Sequence, residues 1–179
     1  MNFLRFFPRP LLLLSGAALL HLSACDSNND DPDVATGDGT VTWTHNGTTH
    51  TSTVGSSAIV DSGDKIIVTG GSSDNNNVVS LALQGINARG AGVYDLRRGS
   101  MLDNLPVGGL TLMSGNTGAT YLTLYGPNAS NGSITVSQYD RAGQKLSGTF
   151  SFTAGATPNT SAAGTQNVTT GSFSFTRFR

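Results

Sequence analysis

Two histidines beside a tight turn, one cysteine behind an apolar run, and scattered serines and aspartates are the reactive side chains of this 179-residue chain. His45 and His50 flank Asn46-Gly47, a dipeptide whose residues both tolerate positive φ and which marks a two-residue hairpin. Pairing across such a turn sets His45 against Thr48 and Trp43 against His50, so an imidazole is expected to face an indole. The remaining histidine, His21, lies in the N-terminal apolar segment. Zinc needs a third protein ligand and a supporting shell, which His45 and His50 alone do not supply. Both are therefore expected to be ordinary surface histidines, with no metal and no other cofactor in the chain.

A Ser-His-Asp hydrolase places its nucleophile on a strained Gly-x-Ser-x-Gly turn, and that pentapeptide does not occur. Asp61 and Asp64 are a conceivable carboxylate pair for glycosidic cleavage, yet Asp61-Ser62-Gly63-Asp64 is also an ordinary turn sequence. Gly70-Gly71 and Gly108-Gly109 lack the lysine and the helix of a phosphate loop. No catalytic residue is assigned, and a non-enzymatic protein is expected. The alternative is a hydrolase whose site is assembled from unlinked residues around His45 or His50.

The cysteine carries the most specific chemistry. Arg5 and Arg9 precede the apolar run Leu11 to Leu20, and Leu22-Ser23-Ala24-Cys25 follows. Positive, apolar and small residues in that order are a secretory signal rather than a fold element. The run is too short and too interrupted to span a bilayer, which takes about 20 apolar residues. The segment resembles a bacterial lipobox, in which the chain is cut before the cysteine and the thiol is acylated. Residues 1–24 then form a lipoprotein signal peptide, and lipid on Cys25 is the membrane partner. Residues 25–39 are nearly devoid of apolar side chains and read as a disordered acidic tether. A calcium loop built from Asp26, Asp30, Asp31 and Asp33 would lack the glycine and closing glutamate of an EF-hand. Acidic residues just after the cysteine also resemble the export signal of surface lipoproteins in Bacteroidota. They point to the outer membrane, with the domain facing the exterior.

Every acidic residue is aspartate, and glycine numbers 23, so the residues that build helix surfaces are scarce. The net charge of -1 and the absence of a basic cluster exclude a typical nucleic-acid partner. Residues 40–179 read as one all-β domain, an antiparallel β-sandwich or partly closed barrel of about ten strands. Val41, Trp43 and His45 alternate with threonines, and Thr48 to Val54 returns as the second strand. Asp61 to Asp64 turns the chain between Ser57 to Val60 and Lys65 to Thr69, and Gly70 to Asn77 is a further turn. Val79, Leu81 and Leu83 share one face of the next strand, and Gly92 to Leu96 and Leu110 to Met113 follow as short strands. Thr120 to Tyr125 is expected to set Leu122 and Leu124 against Tyr121, Thr123 and Tyr125. Ile134 and Val136 point inward on the strand after it, as do Leu146, Phe150 and Phe152, then Phe173 and Phe175. Ala154 to Thr165 is expected to be a long loop. Trp43, Tyr94, Tyr121, Tyr125 and Tyr139 would offer faces to a glycan if several shared one surface, but alternation on strands favours the core. Arg97-Arg98 is read as a solvated turn within reach of anionic headgroups.

Several strand patterns carry a resemblance. These are Trp43 with Asn46-Gly47, Gly92-Val93-Tyr94, Gly132-Ser133-Ile134-Thr135-Val136, and Leu146 to Phe152 with Val168 to Phe173. Together they resemble a family of Bacteroidota lipoproteins built on a domain of unknown function, over most of residues 40–178. The resemblance implies a lipid-anchored β-domain. It supplies no catalytic residues, and a glycan or protein partner stays open.

Overall fold

The computed structural model describes residues 38–53, 56–61 and 64–178. Signal residues 1–24, Cys25 and the tether up to residue 37 lie outside the described residues, as do the four aspartates of the calcium alternative. Eleven strands make up most of the rest. They are β1 Gly39–His45, β2 Thr48–Ser52, β3 Ser57–Asp61, β4 Lys65–Gly71, β5 Asn77–Gln84 and β6 Gly92–Arg97, then β7 Val107–Ser114, β8 Thr117–Leu122, β9 Ser130–Asp140, β10 Lys145–Ala156 and β11 Thr165–Phe175. A four-residue helix, α1 (Ile86–Arg89), and a 3-10 turn at Thr123–Tyr125 are the only helical elements described. None is long and apolar enough to cross a membrane.

Every pairing is antiparallel, and β10 is the branch point. One edge of β10 pairs with β11. Its other edge pairs with β9 as far as Phe152 and with β8 at Gly155 and Ala156. One layer therefore runs β2-β1-β11-β10-β9-β6, and the other leaves β10 through β8 and runs β7-β5-β4-β3. The pairing path ends at β2 and β3, so the sheet folds over itself without closing into a barrel. β1 and β2 face β4 across the core. The layers meet so closely there that a Cβ on Gly70 would fall 2.7 Å from Val41 Cβ and 3.3 Å from the Trp43 ring.

Alternation drives the burial. Val79, Leu81 and Leu83 are inaccessible on β5, as are Ile134 and Val136 on β9. Leu146, Phe150 and Phe152 on β10 meet Phe173 and Phe175 on β11. Glycines sit opposite two of these rings, since Phe150 pairs with Gly171 and Phe173 with Gly148. A ring laid over a cross-strand glycine covers the backbone that the missing side chain exposes. Among the described residues the core runs as one cluster from Val41 to Phe178, so residues 38–179 are expected to fold on their own.

The chain departs from the alternation at Thr120 to Tyr125. Tyr121 is buried beside its partner Leu110, Leu122 turns to the outer face, and the strand ends there. In the 3-10 turn that follows, Thr123 and Leu124 are both buried. Thr123 Oγ1 accepts from the Gly108 N–H at 3.0 Å, and the buried Asn131 side chain donates to the Thr123 and Asn128 carbonyls at 3.0 and 2.8 Å. These local polar contacts outweigh the period-two pattern. The expected loop from Ala154 to Thr165 is also shorter, because β10 continues to Ala156, and the turn expected from Gly70 begins after Gly71.

Tyr94 illustrates a polar group carried into the core. It is fully buried, its hydroxyl donates to the Gly90 carbonyl at 2.7 Å, and the Arg89 guanidinium lies 4.2 Å from its ring centroid. Burial pushes the phenol pKa up from 10.0, with the Arg89 charge pulling the other way. A raised folded-state pKa means that the folded chain holds this proton more tightly than the unfolded chain. The resulting stability is complete below pH 10 and is lost as pH rises through the folded value. Urea midpoints measured from about pH 9 to 12 should therefore fall less steeply in Tyr94→Phe than in the wild type.

Candidate functional site

The Asn46-Gly47 hairpin forms as its sequence requires, with φ of 49° and 77° at the two residues. His45 pairs with Thr48 and Trp43 with His50. The Trp43 and His50 rings stack with centroids 5.3 Å apart, the imidazole–indole contact expected across the strands.

His45 corrects the expectation of a surface histidine. It is 5% exposed, because it continues the inward face set by Val41 and Trp43. Its Nδ1 lies 3.0 Å from Asn77 Oδ1 and its Nε2 2.9 Å from Gln166 Oε1. A neutral imidazole donates to only one of these, so the other amide serves it with its NH2 after a half-turn. Either way both ring nitrogens are committed to amides from β5 and β11, and neither is available as a general base. His50 is partly exposed on the neighbouring strand, and a shallow open cleft beside the pair is lined by Asn46, Asn76, Asn77, Leu112 and Met113. No three His, Cys, Asp or Glu side chains gather into a metal-binding group among the described residues.

His45 thus ties three strands together. His45→Ala is expected to cost about 2–3 kcal/mol, because it opens a cavity at a buried position and leaves two half-buried amides without their partner. His50→Ala loses one ring contact and should cost about 0.5–1.5 kcal/mol. Paired denaturant melts check the difference, and equal losses would contradict the network.

The other side chains singled out from the sequence scatter. Asp61 pairs with Lys65 at 2.6 Å. Asp64 holds α1, its carbonyl accepting from the Gly85 and Ile86 N–H groups and its carboxylate from the Asn87 N–H at 2.5 Å. Residues 62 and 63 between them lie outside the described residues. Trp43, Tyr94 and Tyr121 are buried in the core, and only Tyr125 and Tyr139 are partly accessible. The five aromatics therefore form no common platform for a sugar. Arg97 and Arg98 are exposed, and Arg97 reaches Asp95 at 2.8 Å.

The best-formed site lies elsewhere, on the outer face of the second layer. The segment from Arg98 to Pro106, between β6 and β7, folds over β4, β5, β7 and the end of β8. It is held by Gly99 N–H donating to the Leu124 carbonyl at 3.1 Å, and by Asp103 accepting the Ser100 N–H at 2.7 Å. Beneath it is a cleft of about 250 Å³. Ile67, Ala82, Val107 and Leu122 line its floor, and Met101 and Leu105 come from the loop. Lys65, Ser80, Gln84, Ser100 and Asn104 supply polar groups around them. A concave, mostly apolar surface with a few converging polar groups is the usual form of a ligand site. Sequence reasoning missed it. Ile67, Ala82 and Leu122 belong to the outer, weaker half of each alternation, and only register places them side by side.

These features define an open two-layer all-β domain with an apolar cleft on one outer face. The chain belongs to the family described as Domain of unknown function (DUF6252), whose model matches residues 37–176. No curated protein and no solved structure is found to match it.

Proposed function

We propose that this protein is a lipid-anchored, non-enzymatic binding domain of the bacterial cell envelope that takes its ligand in the cleft beneath the β6–β7 loop. The cleft carries this reading, because it joins an apolar floor, an ordered cover and a few polar groups. The commitment of both His45 nitrogens to amides supports a structural rather than catalytic role for the buried histidine. The order of charge, apolar run and small residues before Cys25 supports acylation there, and the aspartates after it support display on the outer membrane of a member of the Bacteroidota. The stretch from Cys25 to Asp38 reaches at most about 45 Å when extended, which keeps the domain close to the lipid surface. Nucleic acid is not among the partners proposed, given the net charge of -1.

Fractionation of cells that express the full chain tests the address. The protein should sediment with outer membranes, leave them in detergent but not in high salt, and be cut by protease added to intact cells. Release by salt alone would contradict the lipid anchor, and protection in intact cells would place the domain on the inner side. Elemental analysis of the purified protein should find no stoichiometric zinc.

A further inference from the structure

We infer that the cleft binds an amphiphile with a single unbranched hydrocarbon chain and an anionic head, an inference that rests on the binding reading above. Register aligns Ile59, Ile67, Ala82 and Val107 in one row across β3, β4, β5 and β7. Strands about 4.8 Å apart make this row about 14 Å long, the extended length of roughly twelve carbons. The flanking rows are polar, with Asp61, Lys65 and Gln84 on one side and Ser57, Thr69 and Ser80 on the other. Ala82, the smallest side chain of the apolar row, sits in its middle, so the row is a trough and not a ridge. A trough one side chain wide, apolar along its length and polar on both flanks, fits a linear chain better than a fused ring system or a flat protein face. Its 250 Å³ falls below the range of about 300–1,000 Å³ for drug-sized ligands, which points the same way.

Exposure around the cleft adds a second, independent observation. Ile59 at the open end of the row is 50% exposed, and Met101 and Leu102 at the tip of the covering loop are 64% and 87% exposed. These are three of the five large apolar side chains exposed among the described residues. Ile59 continues the row and Met101 lines the cleft from the loop, so apolar side chains left open to solvent adjoin it, as on a surface that meets apolar matter. The head is assigned by charge. Lys65 is the one cation in the lining, and its ammonium already binds a carboxylate, that of Asp61, at 2.6 Å with both groups partly exposed. An anionic head takes the place of that carboxylate at the same nitrogen while the chain lies along the row.

Isothermal titration of residues 38–179 with dodecanoate, kept below its micelle concentration, tests this directly. One dodecanoate should bind per chain. Ala82→Phe, which fills the trough from the outer face, should weaken binding at least about ten-fold, as should Met101→Asp on the exposed loop tip. Lys65→Gln should weaken dodecanoate about three- to ten-fold and leave dodecanol unchanged. Thermal melts should show each variant folded. Sedimentation with vesicles of anionic or zwitterionic lipid identifies the source. Binding to anionic vesicles that Ala82→Phe abolishes assigns the chain to a membrane lipid, and binding to free dodecanoate alone assigns a soluble amphiphile. Dodecanol or dodecyltrimethylammonium binding as tightly as dodecanoate would overturn the anionic head while leaving the binding site standing. Dodecanoate affinity unchanged in folded Ala82→Phe and Met101→Asp would overturn the inference outright, and no saturable binding of any of these probes would overturn both readings.

Discussion

Cys25→Ala is expected to abolish acylation and move the protein from the membrane to the soluble fraction. No helix among the described residues can cross a bilayer, and the exposed apolar side chains at Ile59, Met101 and Leu102 are too few to anchor the chain. Each buried methylene of an acyl chain contributes about 0.8 kcal/mol to membrane attachment, and stable anchoring needs more than one such chain or a second signal. A few loop side chains supply far less. Labelling cells with a radioactive fatty acid, then fractionating them, reads both steps at once. Wild type should carry label and pellet with membranes, and the variant should do neither. Persistent membrane association of an unlabelled Cys25→Ala chain would show that a second anchor exists, with the loop tip as the first place to look.

The inner face of this fold was legible because its signal is redundant. Each of Val79, Leu81 and Leu83, or Phe150 and Phe152, repeats the same period-two message, and Asn46-Gly47 fixes both the turn and the facing of Trp43 and His50. Where a single local interaction decides the path, that redundancy fails. Thr123 and Asn131 bend the chain after β8 through three hydrogen bonds, and nothing in Leu-Thr-Leu-Tyr announces them. The burial of His45 escapes the sequence pattern for a related reason. Its place on the alternation said inward and its polarity said outward, and the tie was settled by Asn77 and Gln166, which lie 32 and 121 residues away. The cleft was the least legible feature. It depends on lateral register between four strands and on a loop that crosses them, whereas sequence patterns report only which face of one strand is apolar.

Phe150→Ala is expected to cost about 3–5 kcal/mol, a large part of the roughly 5–15 kcal/mol that holds a domain together. Phe150 is 4% exposed, stands 6.2 Å from the Phe152 ring and 6.4 Å from the Phe173 ring, and pairs across the strands with Ile134 and Gly171. Removing it opens a cavity in the middle of the longest strands, where neighbours on both sides are fixed by their ladders. Ser151 and Ser174 face solvent on the same strands, so their alanine variants should stay within about 0.5 kcal/mol of wild type. The opposing glycine gives a sharper check. A Cβ on Gly171 would lie 2.4 Å from the Phe150 ring, closer than carbon atoms tolerate, so Gly171→Ala must displace a ring that Phe152 and Phe173 hold in place. That penalty exists only while the ring is there. In a double-mutant cycle measured by urea denaturation of residues 38–179, Gly171→Ala should be destabilising in the wild type and close to neutral in Phe150→Ala, with a coupling of about 0.5–3 kcal/mol. Strict additivity of the two substitutions would mean that the ring does not lie over Gly171. Equal losses at Phe150 and Ser151 would mean that β10 presents the wrong face to the core.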